Sequence, residues 1–219
     1  MPRPLYVFDM DDTLINGDCS SIWNQFLVEK GIATQANFLE QDQHLMASYA
    51  EGKMNMEDYL KFSMVPLANL PTSTVDALVE ECISQYILPK VFPQASSLIA
   101  ELKREHIDML IISATVSFVV EAVGSRIGIP HALGIDMKIK NGCYSSEIEG
   151  IPSYREGKVA RLNDWLAAQK HHYTSVHFYT DSINDLPLCE YADFAYLVNP
   201  CPRLRAIANR PNWQILTWA

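Results

Sequence analysis

Along the 219 residues, short and wholly apolar runs alternate with longer stretches whose apolar positions recur every three or four residues. The first run is Leu5-Tyr6-Val7-Phe8, followed at once by polar residues. A run of strand formers without polar alternation predicts a strand buried on both faces, as in parallel sheets. The same pattern returns at 109–112, 176–179 and 194–198, and Ile215-Leu216 predicts a short last strand. Helical periodicity over 96–105, 117–127, 156–169 and 185–191 separates these runs. Strands alternating with helices at this spacing predict an α/β fold, a doubly wound and mostly parallel sheet.

Residues 15–87 break the alternation. Trp23, Phe26 and Leu27 share one helical face, as do Phe38, Leu45 and Tyr49, then Tyr59, Leu60 and Met64, with Gly31, Gly52, Pro66 and Pro71 as punctuation. The expectation is a small helical cap domain over 15–87, inserted after the first strand of a core formed by 1–14 and 88–219. A second irregularity lies at 136–148, where Asn141-Gly142 between two alternating segments predicts a β-hairpin. No internal repeat or low-complexity tract is visible.

Composition narrows the classes. With 48% hydrophobic and 20% charged residues, a disordered chain is excluded. A net charge of -9 repels phosphate backbones, which argues against nucleic acid as a partner and lets in a small anion only where local cations or a metal overcome the field. Cys19, Cys82, Cys143, Cys189 and Cys201 show no Cys-x-x-Cys spacing. The opening Met1-Pro2-Arg3-Pro4 runs straight into the first apolar run, so no secretory leader is expected, and no apolar run approaches the ~20 residues of a membrane span. Reduced thiols in a cytoplasmic protein, without membrane partners, are expected; the oligomeric state is left open.

Candidate chemistry follows the first strand directly, at Asp9-Met10-Asp11-Asp12-Thr13-Leu14. Open α/β sheets bind ligands at the carboxyl ends of their strands. If the extended backbone persists, Asp9 and Asp11 face one crevice. Neighbouring carboxylates need either a divalent cation or a shared proton, and both arrangements suit phosphoryl transfer. Ser113 closes the apolar run at 109–112, Gly157-Lys158 opens a helical stretch, and Asp181-Ser182-Ile183-Asn184-Asp185 follows a later strand. Singly, these residues read as a core hydroxyl, a solvated helix charge and a helix-capping turn; together and in this order, each at a strand end or helix start, they read as a site.

This order of motifs resembles the haloacid dehalogenase superfamily of aspartate-nucleophile phosphatases, in the branch containing phosphoserine phosphatase. Asp9 to Leu14, Ser113, Lys158, and Asp181 with Asn184 and Asp185 carry the likeness, which spans essentially the whole chain. It implies that Asp9 is the nucleophile and that Asp11 acts as general acid and then base. Magnesium (Mg2+) would be held by Asp9, the backbone carbonyl of Asp11, and Asp181. Ser113 and Lys158 would bind the phosphoryl group, and Asn184 and Asp185 would support metal and lysine. The acid at Asp11 sets the chain apart from the family's dehalogenases and ion-pumping ATPases, and points to hydrolysis of a phosphoester.

By the same likeness, Asp18 stands where an acidic residue receives the substrate amine of phosphoserine phosphatases. Gly52-Lys53-Met54-Asn55-Met56-Glu57 resembles the family's cap segment, and counting on from it, the arginine that clamps the substrate carboxylate falls at Ser63. Lys61 is two residues away, on the wrong helical face to substitute. An amine-bearing phosphomonoester without a carboxylate, such as histidinol phosphate, is therefore expected, with Trp23, Tyr59 or Tyr154 as candidates to stack on an imidazole. Phosphoserine, a broad set of small metabolites, and a non-enzymatic phosphate- or magnesium-binding regulatory role stay open as alternatives. The six histidines show no metal-ligand spacing. Asp12 is expected to cap or point away, and Tyr154-Arg155 to lie on a loop surface or reach the cap.

Overall fold

A computed structural model describes residues 3–219. Six parallel strands form the main sheet: β1 (Pro4–Phe8), β2 (Asp108–Val116), β3 (His131–Ile135), β6 (Ser175–Thr180), β7 (Phe194–Val198) and β8 (Trp213–Leu216). Their order is β3-β2-β1-β6-β7-β8. The chain winds outward through β3, then returns to lay β6 on the other side of β1. That reversal opens a crevice at the carboxyl ends of β1 and β6, where sheets of this kind bind ligands.

Burial on both faces accounts for the unalternating runs. Along β2, Met109 and Ile111 join one apolar cluster while Leu110 and Ile112 join the other. The first cluster takes in α5 (Pro93–Arg104) and α6 (Ser117–Ile127); the second takes in α7 (Glu156–Ala167), α8 (Leu186–Tyr191) and α9 (Pro202–Ala206). Strand β3 was not legible in the sequence pattern. Its Gly134 lets the backbone approach the start of α6 so closely that a Cβ would lie 2.6 Å from the Ser117 Cα.

The stretch between β1 and α5 is helical, as its periodicity predicts: α1 (Cys19–Glu29), α2 (Phe38–Ala50), α3 (Met56–Ser63) and α4 (Thr72–Cys82). Asp18 caps α1, accepting from the Ser21 N–H at 2.7 Å, and Asn55 caps α3 through the Glu57 and Asp58 N–H groups. The inward faces of these helices do not close on themselves: Trp23, Phe26, Tyr59 and Val79 belong to one continuous cluster with Val119 of α6 and Ile111 of β2. The expected hairpin is present as β4 (Met137–Lys140) and β5 (Cys143–Ile148), turning on Asn141 and Gly142, both at positive φ. It is tied to the helical segment where Thr72 N donates to Gly142 O at 2.9 Å. Among the described residues no helix is long and apolar enough to cross a membrane.

Candidate active site

The Asp9 N–H bonds Tyr179 O at 2.9 Å, extending the pairing of β1 with β6 by one residue. The chain then turns sharply: Leu14 and Ile15 both donate to Met10 O, and Asp12 adopts a φ of 50°. Extended backbone thus ends soon after Asp9, yet Asp9 and Asp11 still face one cavity, of about 140 Å³, which Asp12, Asp18, Tyr49 and Asp181 also line.

Beneath the cavity, Lys158 reaches up from the first turn of α7. Its Nζ lies 2.7 Å from Asp9 Oδ1 and 2.7 Å from Asp185 Oδ1, with 1% of the residue exposed. Burial disfavours the ammonium, but the carboxylates of Asp185 and Asp9 outweigh it and bind its proton more firmly than usual. Asp185 is further held by the Thr180 hydroxyl at 2.7 Å. Gly157 allows this placement: a Cβ there would sit 2.0 Å from Pro152 O, because the preceding loop packs directly on the helix start. Ser153 fastens that loop to β2 by donating to Ser113 O.

The other oxygen of Asp9 faces Asp181. Thr13 Oγ1 stands 3.5 Å from Asp9 Oδ2 and 3.4 Å from Asp181 Oδ1, too far to satisfy either. Burial lifts Asp181 well above the carboxylate range, with Asp9 adding its repulsion. Asp9 is pushed up to about 8, chiefly by burial, against the pull of Lys158 and with the help of Asp185 and Asp11. Two facing carboxylates with no cation between them are expensive to ionise. The pair fits a hard divalent ion. Magnesium is an ion of that kind, taking one or two carboxylates and keeping several waters.

Asp11 is held by three donors: the Cys19 N–H at 2.7 Å on one oxygen, and the Ser113 and Thr115 hydroxyls at 3.0 and 2.9 Å on the other. Ser113 therefore turns to Asp11 and lies fully buried within β2, which runs on past it to Val116, rather than ending the strand with a free hydroxyl. Asn184 also has a partner beyond the acid cluster, since its Nδ2 donates to Tyr49 O at 2.9 Å. Asp18 lines the cavity with one oxygen occupied as the α1 cap, and burial together with the Asp11 charge pushes it up to about 8. Ser63, Trp23 and Tyr59 meet in a separate, smaller cavity. Tyr154 does not join them; its ring lies 5.6 Å from that of Tyr49. Asp12 is exposed and is among the residues that border the acid cavity.

Several contributors were not singled out from the sequence. Thr13 and Thr115 sit inside recognised motifs, so their neighbours were the available signal. Tyr49 was assigned only to a helix face. Arg155, read as surface or cap contact, donates to Gly52 O, and Arg203 donates to Glu51 O at 2.7 Å. With Asn184, these side chains grip the carbonyl end of α2 from the sheet side, where cations also meet the negative end of the helix dipole.

A family model for haloacid dehalogenase-like hydrolases matches residues 6–190. A histidinol-phosphatase of Neisseria meningitidis serogroup C (strain 8013) is 32% identical over 220 residues, covering 99% of each chain. A crystal structure of a protein of unknown function from Bordetella pertussis Tohama I superposes with a TM-score of 0.89 at 32% identity, again over 99% of both chains. A substrate-bound phosphoserine phosphatase shares the fold, with a TM-score of 0.71 at 19% identity over 99% of this chain and 93% of that one. The chain belongs to the haloacid dehalogenase-like hydrolase family, and its fold is the one seen in phosphoserine phosphatase. It is a phosphatase of that family, a hydrolase of phosphoric monoesters.

Proposed function

We propose that the enzyme hydrolyses a small phosphomonoester through a phosphoryl group carried on Asp9, with magnesium as cofactor and residues 15–87 acting as its cap domain. The observation that carries this reading is the division of Asp9: one oxygen is fixed by buried Lys158 and the other is left facing Asp181 and the cavity. The free oxygen attacks phosphorus. As the P–O bond to the leaving alcohol breaks, Asp11 supplies that oxygen with a proton. Asp11 then takes a proton from water, whose oxygen attacks phosphorus and regenerates the Asp9 carboxylate. Asp9, Asp181 and the Asp11 carbonyl would hold the magnesium, which when bound neutralises charge on the phosphoryl oxygens. Lys158 favours the ionised form of Asp9 and aims it, Asp185 and Thr180 keep Lys158 in place, and the donors around Asp11 fix its carboxyl in one orientation.

For the substrate we favour an amine-bearing phosphomonoester without a carboxylate, with histidinol phosphate as the leading candidate. Two facts support it: Ser63 offers no cation to a carboxylate, and a relative of matching length is named histidinol-phosphatase. The test is phosphate release from a panel of histidinol phosphate, phosphoserine, phosphoethanolamine and sugar phosphates, with and without magnesium. Asp9→Asn is expected to abolish release from all of them. Release that survives Asp9→Asn would remove the mechanism; a clear preference for phosphoserine would remove the substrate.

A further inference from the structure

A second cavity, of about 20 Å³, lies between α1, α3 and the end of β2. It adjoins the catalytic one, because Ser20, Ala114 and Thr115 line both. The link is also chemical: the Ser20 and Thr115 hydroxyls are 3.0 Å apart, and Thr115 donates to Asp11. Asn24, Tyr59 and Ser63 line this second cavity but not the first.

Asn24 is 1% exposed. Its Nδ2 donates to the buried carboxylate of Asp42 at 2.8 Å, to which the Tyr59 hydroxyl also points at 3.4 Å. A carboxylate can only accept, so Asp42 fixes the amide's orientation and turns Asn24 Oδ1 the other way. That carbonyl oxygen is buried and has no partner. Leaving a buried acceptor unmet is costly, and natural interiors rarely keep one without use.

We propose that this cavity seats the far end of the leaving group, and that Asn24 Oδ1 accepts an N–H from it, with Asp42 and Tyr59 holding the amide in place. The inference deepens the phosphatase reading of Asp9 and Asp11, on which it rests. It selects by chemistry in both directions. A nitrogenous, carboxylate-free group finds an acceptor waiting for its N–H. A carboxylate would meet an unpaired carbonyl oxygen with Asp42 behind it and no cation at Ser63, so it is repelled. Trp23, Leu60 and Met64 supply apolar walls suited to the flat faces of a ring. As it stands the space takes one water-sized group; a five-membered ring enters with a displacement of α3, and Met64 at its end is the wall best able to adapt.

The test is steady-state kinetics with magnesium on histidinol phosphate, phosphoserine and glycerol phosphate, the last having no N–H. In Asn24→Leu, the ratio of kcat/KM for histidinol phosphate to that for glycerol phosphate is expected to fall by roughly tenfold, the loss of one buried hydrogen bond. In Ser63→Arg, which fills the cavity and brings a guanidinium towards Asp42, the ratio for phosphoserine over histidinol phosphate is expected to rise by at least about tenfold. Should circular dichroism show Asn24→Leu unfolded, the Ser63→Arg ratio decides alone. Ratios that stay within about twofold of wild type overturn the inference and leave the phosphatase reading standing. Wild type that releases phosphate from no ester sinks that reading itself, and the inference with it.

Discussion

Lys158 shows how much one side chain can hold together. A lysine this buried survives only because Asp9 and Asp185 flank it at hydrogen-bond distance. Lys158→Met leaves two buried carboxylates without their cation, and a loss of about 3–5 kcal/mol is expected in urea unfolding, together with loss of turnover. A milder case lies at the opposite end of the sheet. Burial tends to raise the Asp108 carboxyl, but hydrogen bonds from Arg3 and Tyr173 outweigh it and hold the group below its ordinary value. A carboxyl lowered by folding stabilises above its unfolded pKa of about 3.9, and that contribution is lost as pH falls through the folded value. Asp108→Asn is therefore expected to lower the urea midpoint at pH 7, with the gap to wild type closing as the medium becomes more acidic than the folded pKa. A gap that persists in strong acid would count against this account. In sequence, Lys158 is indistinguishable from a solvated helix charge; only the motif order singled it out. Asn24 and Asp42 were invisible, because a buried amide–carboxylate pair between two helices leaves no periodic trace.

Among elements, the carbonyl end of α2 is where the helical segment is held from the sheet side. Asn184, Arg155 and Arg203 come from three separate places in the chain and bond Tyr49, Gly52 and Glu51. Tyr49 is thereby carried to the rim of the acid cavity. Removing one such partly exposed bond should release about 1 kcal/mol. Arg155→Ala is thus expected to speed amide exchange in the last turn of α2 severalfold, leaving α7 unchanged; equal acceleration in both helices would mean general destabilisation instead. The main sheet was legible wherever a strand lies buried on both faces. Strand β3 was not, since an edge strand of five residues with a glycine and a histidine matches no strong pattern. The site was legible in its acids and lysine, which chemistry restricts to few residue types. It was illegible in the arginine grip, because that depends on which loop the fold brings opposite α2.

At the scale of the whole molecule, the helical segment and the sheet share one apolar cluster, so ligands bound at the acid cavity should stabilise the protein as a unit. Magnesium with inorganic phosphate is expected to raise the Tm, by the equivalent of about 2.7 kcal/mol when free ligand exceeds its Kd a hundredfold. The shift should vanish in Asp181→Asn, and a shift retained there would argue that the ion binds elsewhere. The cavity itself has a lopsided lining: Asp9, Asp11, Asp12, Asp18 and Asp181 border it, while Lys158 lies beneath, engaged with Asp9 and with Asp185 outside that lining. A dianion entering this chamber meets carboxyl groups and finds no cation among the lining residues unless something positive has preceded it. The chamber thus imposes an order of arrival. Calorimetric titration of phosphate should register heat only after the divalent ion has been added, which makes the enzyme's readiness a function of its ionic surroundings before any ester comes near.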